Sequence, residues 1–211
     1  MVAYIFARDV KSNSLNHSSK HSVIIILMGC IRIICITGFE KNDRSGYMVS
    51  KADALEIITY AEDNGIDVWL DGGWGVDALL ETETRQHNDV DLFVEKINGE
   101  KFISVIKEKG FSEVKEAYTT TSHTVWKDTK DRIIDLHIFE FNDQGNLIFE
   151  GETYPGDVFS GIGKIGNKVV KCISAEYQVM YHCGYEHDEN DVHDVRLLCE
   201  RFHIPVPNEY M

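Results

Sequence analysis

An apolar run, Val68-Trp69-Leu70, closes at the glycine pair Gly72-Gly73, and a helical pattern (Val76, Leu79, Leu80) opens directly behind it. This order predicts a strand that turns tightly into a helix. Such a turn presents unpaired backbone N–H groups and the positive end of the helix dipole, a natural seat for phosphate. A second strand-like run, Val90-Asp91-Leu92-Phe93-Val94, follows, with Asp89 and Asp91 alternating around Val90. Residues i and i+2 of a strand point to the same face, so both carboxylates leave the sheet together. Like charges held side by side repel, and a divalent cation is the usual reason for tolerating them. A phosphate cradle beside a metal-binding pair points to phosphoryl or nucleotidyl transfer.

The rest of the chain alternates in the same manner. Ala52 to Asn64 has helical spacing with Gly65 as its stop, and Phe102, Val105 and Ile106 mark a helix ended by Gly110. Phe111 to Lys115, Ser122 to Lys127 and Arg132 to Phe141 read as strands, with a turn at Asp128 to Asp131. Asn142 to Asn146 is turn chemistry, so Leu147 to Glu150 should return as a hairpin. Gly161, Gly163 and Gly166 read as a loop before a strand at Lys168 to Ile173. Ser174 should cap a helix carrying Ala175, Val179 and Met180, and a last helix spans Asn190 to Phe202. This order predicts an α+β chain: a mixed sheet flanked by helices with a small helical C-terminal portion, not a doubly wound parallel sheet.

The 211 residues suffice for one domain with a small appendage. A net charge of −14 argues against a nucleic-acid partner, because neutralising phosphates takes clustered Lys and Arg. The five cysteines are odd in number and form no CxxC pair, which favours a reducing, cytoplasmic setting. Residues 1–47 differ from the rest. They are rich in Ser, Asn and His from Lys11 to Ser22, then apolar from Val23 to Ile36 with breaks at Gly29 and Arg32. That run is short for a membrane span and carries a charge near its centre, so no membrane partner is expected. Met48, followed by Ser50-Lys51-Ala52-Asp53, looks like an ordinary start. We expect residues 1–47 to be a non-native or disordered extension, 48–173 the main domain and 174–211 the C-terminal helical portion.

Asp135 lies in Ile133-Ile134-Asp135-Leu136-His137, a strand otherwise apolar, where a carboxylate should be paired, protonated or metal-bound. If this strand lies beside that of Asp89 and Asp91, three carboxylates converge. Three can hold two Mg²⁺ ions, with substrate phosphates and waters completing the octahedra. Taken alone, Asp135 could instead form a salt bridge to Arg132 or Lys127.

Together Gly72-Gly73-Trp74-Gly75-Val76-Asp77, Arg85-x-His87-x-Asp89-Val90-Asp91 and Asp135-Leu136-His137 resemble the antibiotic nucleotidyltransferases of the DNA-polymerase-β-like superfamily. The chain is most similar to the lincosamide nucleotidyltransferases, with the aminoglycoside 2″-adenylyltransferases next. The resemblance extends over residues 48–211 and includes Cys172-Ile173-Ser174-x-Glu176-x-Gln178; Asp71 ahead of the glycines favours the lincosamide branch. It implies a polymerase-β-like nucleotidyltransferase fold, with 48–173 as the nucleotidyltransferase domain. The implied reaction moves AMP from Mg·ATP to a hydroxyl of a lincosamide and releases pyrophosphate, with ATP as co-substrate and two Mg²⁺ ions. Carried over, Asp89 and Asp91 would be metal ligands and Asp135 the third carboxylate, as ligand or general base. Gly72 and Gly73 would line the triphosphate, with Arg85 and His87 as phosphate contacts. The resemblance leaves room for a homodimer. Two other readings are an aminoglycoside adenylyltransferase and a nucleotidyltransferase-type antitoxin acting on a partner protein.

Some of these side chains also have simpler readings. Arg85 and His87 could merely balance Glu81, Glu83 and Asp89, and Asp77 could serve the helix dipole. Trp69 and Trp74 read as core residues rather than base-stacking platforms. The spacings among His182, Cys183, His187, His193 and Cys199 match no zinc motif. The acidic run from Glu186 to Asp194 reads as a solvated helix start, or as a face toward a cationic antibiotic.

Overall fold

The computed structural model describes residues 47–211, together with the backbone of three short upstream strands. These are β1 (Phe6–Ala7), β2 (Val23–Leu27) and β3 (Cys30–Ile34), joined in that order as an antiparallel sheet. Apart from Tyr47, the other residues of the expected 1–47 extension lie outside the described residues. Residues 47–183 and 187–211 belong to one compact unit. Its elements in chain order are α1 (Lys51–Glu62), β4 (Val68–Asp71), α2 (Gly72–Leu80), β5 (Val90–Glu95) and α3 (Lys96–Glu108). Then come β6 (Ser112–Val114), β7 (His123–Lys127), β8 (Ile133–Phe141), β9 (Leu147–Phe149) and β10 (Glu152–Tyr154). The chain continues with β11 (Gly161–Ile165), β12 (Lys168–Cys172), α4 (Ala175–Tyr181) and α5 (Glu189–Phe202).

Local chemistry sets the boundaries. Ser50 and Asp53 form a reciprocal capping box at the start of α1, and Asp188 and Asp191 repeat it at α5. Gly65, at φ +64°, turns the chain out of α1 toward β4.

The nine-stranded mixed sheet runs β10-β9-β8-β5-β4-β12-β11, with β7 paired to β8 and β6 to β7. β5 is parallel to β8 and antiparallel to β4. Residues paired across these strands share a face. Leu70, Leu92 and Leu136 make one such row, all three buried, and they join Ile57 and Ile58 of α1 and Phe102 and Ile106 of α3 in the main core. The opposite face carries the rows Asp71–Asp91–Asp135 and Trp69–Phe93–His137. A second, aromatic cluster of Phe93, Phe139, Trp69 and Phe159 lies on this face.

The structure corrects one expectation. Gly161 to Ile165 is a strand, β11, that forms a hairpin with β12 around Gly166 at φ +60°. The glycines are there for close packing rather than for looseness. A Cβ at Gly163 would overlap the Ala78 carbonyl of α2, and one at Gly161 would stand 2.6 Å from the Ile173 carbonyl.

Candidate active site

Three elements converge at one end of the sheet: β4 at its last residue, β5 and β8 near their first. Asp71, Asp91 and Asp135 therefore fall on one row, and Asp89 directly precedes β5. Asp91 is half-buried, and its pKa stands well above the usual carboxylate range, through desolvation first and then through Asp89, Asp135 and Asp71. The pKa of Asp71 is raised too, again chiefly by burial. An oxygen-only donor set that is costly to ionise fits a hard divalent cation such as Mg²⁺.

The first residues of α2 abut this row. Gly72 adopts φ +54°, and a Cβ there would overlap Oδ2 of Asp91, so only glycine lets the carboxylate and the turn approach so closely. A Cβ at Gly73 would overlap His87 Nδ1 and lie 2.5 Å from Arg85 Nη2. The helix thus begins with bare backbone over a charged layer. In that layer Arg85 donates from Nε and Nη2 to Asp194 of α5, at 2.9 and 2.6 Å. His87 pairs through Nε2 with Asp77 at 2.6 Å, and Asp77 also accepts from the Thr84 backbone and hydroxyl.

Here the structure differs from the sequence reading. His87 is 3% exposed and its ring is held by Asp77 and Trp74. In this position it buttresses Gly73. Arg85 keeps part of its surface but is anchored by Asp194, a residue read from sequence as part of a solvated acidic run. Asp77 does not merely serve the helix dipole: it orients His87.

Asp135 is not paired with Arg132 or Lys127. Arg132 binds Asp128 at 2.7 Å and Glu56 at 2.6 Å, and Lys127 binds Asp131. The partner of Asp135 is His123, whose Nε2 lies 2.7 Å from Oδ1. Burial opposes a charged imidazole at His123, yet the bond to Asp135 prevails and its pKa is raised. His137, on the same face, lies 3.9 Å from Asp135 and is held near pKa 4 by burial, hence neutral. Among the described residues His123, Asp135 and His137 bring three metal-competent donor atoms within 4.8 Å of one another. Nδ1 of His137 is buried without a partner, however, whereas metal-bound imidazoles are normally braced through the second nitrogen.

The sequence reading used Asp71 only as a family marker and did not single out His123. Asp71 could have been found by extending the alternation Trp69, Asp71. His123 needed the register of the β7–β8 hairpin. A concavity of about 530 Å³ lies elsewhere, on the helix-covered side of the sheet beside Lys96, Ile103 and Ile138. Neither Asp89 nor any of Asp71, Asp91 and Asp135 lines it, and the chemistry marks the row instead.

A carboxylate row against a glycine-started helix, on this mixed sheet, defines a nucleotidyltransferase. Residues 53–198 match the Aminoglycoside-2''-adenylyltransferase family, and the chain belongs to that family. It is 30% identical over 155 residues to a lincosamide resistance protein of Staphylococcus haemolyticus, covering 71% of this chain and 94% of that one. Among solved structures it is similar to the lincomycin-bound lincosamide antibiotic adenylyltransferase LnuA, at TM-score 0.65 and 27% identity over 72% of this chain and 98% of LnuA. The fold is shared with ANT(2")-Ia in complex with adenylyl-2"-tobramycin, at TM-score 0.58 and 19% identity, over 72% of this chain and 88% of that one.

Proposed function

We propose that this enzyme transfers AMP from Mg·ATP to a hydroxyl of a lincosamide antibiotic, releasing pyrophosphate. The observation that carries the reading is the row Asp71–Asp91–Asp135 lying against the first residues of α2. The acceptor class is supported by the relatives named for lincosamides.

Asp89, Asp91 and Asp135 would hold two Mg²⁺ ions, which when bound would acidify the acceptor hydroxyl and offset the charge of departing pyrophosphate. Backbone N–H groups at Gly72 and Gly73 would bind triphosphate oxygens, with Arg85 adding positive charge. His87, fixed by Asp77, would keep that turn in place. Asp135 would take the hydroxyl proton as the new O–P bond forms and the bond to pyrophosphate breaks. We assign 48–173 as the nucleotidyltransferase domain and 174–211 as a helical portion that anchors it, acting in the cytoplasm.

The test is mass spectrometry of lincomycin incubated with the protein, ATP and Mg²⁺. An AMP adduct supports the proposal. A second reading, an aminoglycoside acceptor, is favoured by the description of the matched family. Unmodified lincomycin beside an adenylylated aminoglycoside would move the acceptor to that reading.

A further inference from the structure

We infer that His123 is a positioning residue for Asp135: it holds one carboxylate oxygen so that the other meets the acceptor hydroxyl as the general base. The inference rests on the proposed function and deepens it: it names what orients Asp135, which that reading uses both as a Mg²⁺ ligand and as the base.

The geometry comes from the β7–β8 hairpin. Its antiparallel register sets Val125 opposite Asp135 and His123 opposite His137, so His123 stands diagonal to Asp135 on the same face. Its Nε2 lies 2.7 Å from Asp135 Oδ1. The imidazole lies against Tyr118, at 4.9 Å, and His137, at 4.4 Å between ring centroids. His137 in turn stacks on Phe93 at 4.6 Å and 17°. The backbone N–H of His123 donates to Thr120 Oγ1 at 3.0 Å, and that hydroxyl donates to Glu150. A ring packed against two others and tied at its backbone is a fixed donor.

A carboxylate turning freely about its last torsion could chelate a cation through both oxygens. With Oδ1 engaged, Asp135 offers Oδ2 in one orientation. In the transfer the acceptor O–H proton passes to Oδ2, the hydroxyl oxygen's electron pair forms the new bond to the α-phosphorus, and the old P–O bond breaks with its pair leaving on pyrophosphate. His123 neither gains nor loses an atom. Misplacing a general base by about 1 Å costs on the order of a hundredfold.

The test compares wild type, His123→Ala, His123→Gln and Asp135→Asn. With whichever antibiotic the wild type adenylylates, His123→Ala should lower kcat about 10- to 100-fold while KM for ATP and for the acceptor stays within about twofold. His123→Gln, which keeps an amide donor on a comparable stem, should recover part of the loss. A kcat within about twofold of wild type in His123→Ala, or a loss carried wholly by KM, overturns the inference. A second arm needs no acceptor. In ¹⁵N-histidine NMR spectra the hydrogen-bonded Nε2–H of His123, identified by its loss in His123→Gln, should shift or vanish in Asp135→Asn. A signal unmoved by Asp135→Asn sinks the inference whatever the substrate, whereas a moved signal with no lincomycin adduct sinks only the acceptor assignment.

Discussion

Asp91 and Asp135 occupy one rung of the parallel ladder between β5 and β8, and Asp71 extends that rung onto β4. Nothing in the packing requires three acids there; the Leu70–Leu92–Leu136 row on the other face shows what the core prefers.

Neutralising the middle carboxylate should therefore stabilise the protein while destroying its activity. Asp91→Asn is expected to raise the melting temperature in EDTA at pH 8 by about 3 °C, equivalent to roughly 1 kcal/mol. The raised pKa of Asp91 means that ionisation is penalised in the folded state, so this advantage shrinks as pH falls and the carboxyl protonates. Mg²⁺ should raise the melting temperature of wild type but not of the variant, and AMP transfer should fall at least about 1000-fold. A variant that melts earlier in EDTA, or stays active, contradicts the account.

Gly73→Ala pits two effects against each other. Alanine favours a helix over glycine by about 1 kcal/mol. Its Cβ would overlap His87, and a clash in a buried layer costs about 1–3 kcal/mol. We expect a net loss of stability in urea titration, and a KM for ATP raised at least about tenfold because the turn shifts off the triphosphate. Unchanged KM would remove the glycine turn from nucleotide binding.

Asp194 sits at 1% exposure and anchors Arg85 from α5. Asp194→Ala should cost about 3 kcal/mol in urea unfolding, because it leaves a largely buried guanidinium without its partner. Replacing both residues, Arg85→Met with Asp194→Leu, should restore most of that stability but not ATP binding. If the double variant is no more stable than Asp194→Ala, the pair is not coupled as described.

Gly163→Ala tests the reading of β11 as a strand packed under α2. The added methyl would meet backbone at Ala78, which cannot rotate away, so a loss of about 2–3 kcal/mol is expected. Gly145→Ala, at an open turn with nothing within 4 Å, should lose less, from its positive φ alone. Equal losses in calorimetry would mean that the close approach carries no energy.

Much of the fold was legible along the chain. The glycine-ended strand, the α1 and α3 patterns and the β8 run all emerged near their expected bounds, because period-2 and period-3.6 burial is written locally. The β11 hairpin was misread because Gly163 answers to α2 and Gly161 to the Ile173 backbone, and turn statistics cannot see such contacts.

The candidate site divides along the same line. The alternation of Asp89 and Asp91 and the acid within β8 are local patterns, and they were enough to bring three carboxylates into question together. Which strands are neighbours is not local. Placing Asp71, Asp91 and Asp135 on one row took the order β4-β5-β8, and giving Asp135 an imidazole took the β7–β8 register. Arg85 and Asp194, 109 residues apart, meet only because α5 folds back beside α2. Side-chain chemistry and periodicity belong to neighbours in sequence. The partner of a buried charge is set by whatever the folded backbone brings within a few ångströms.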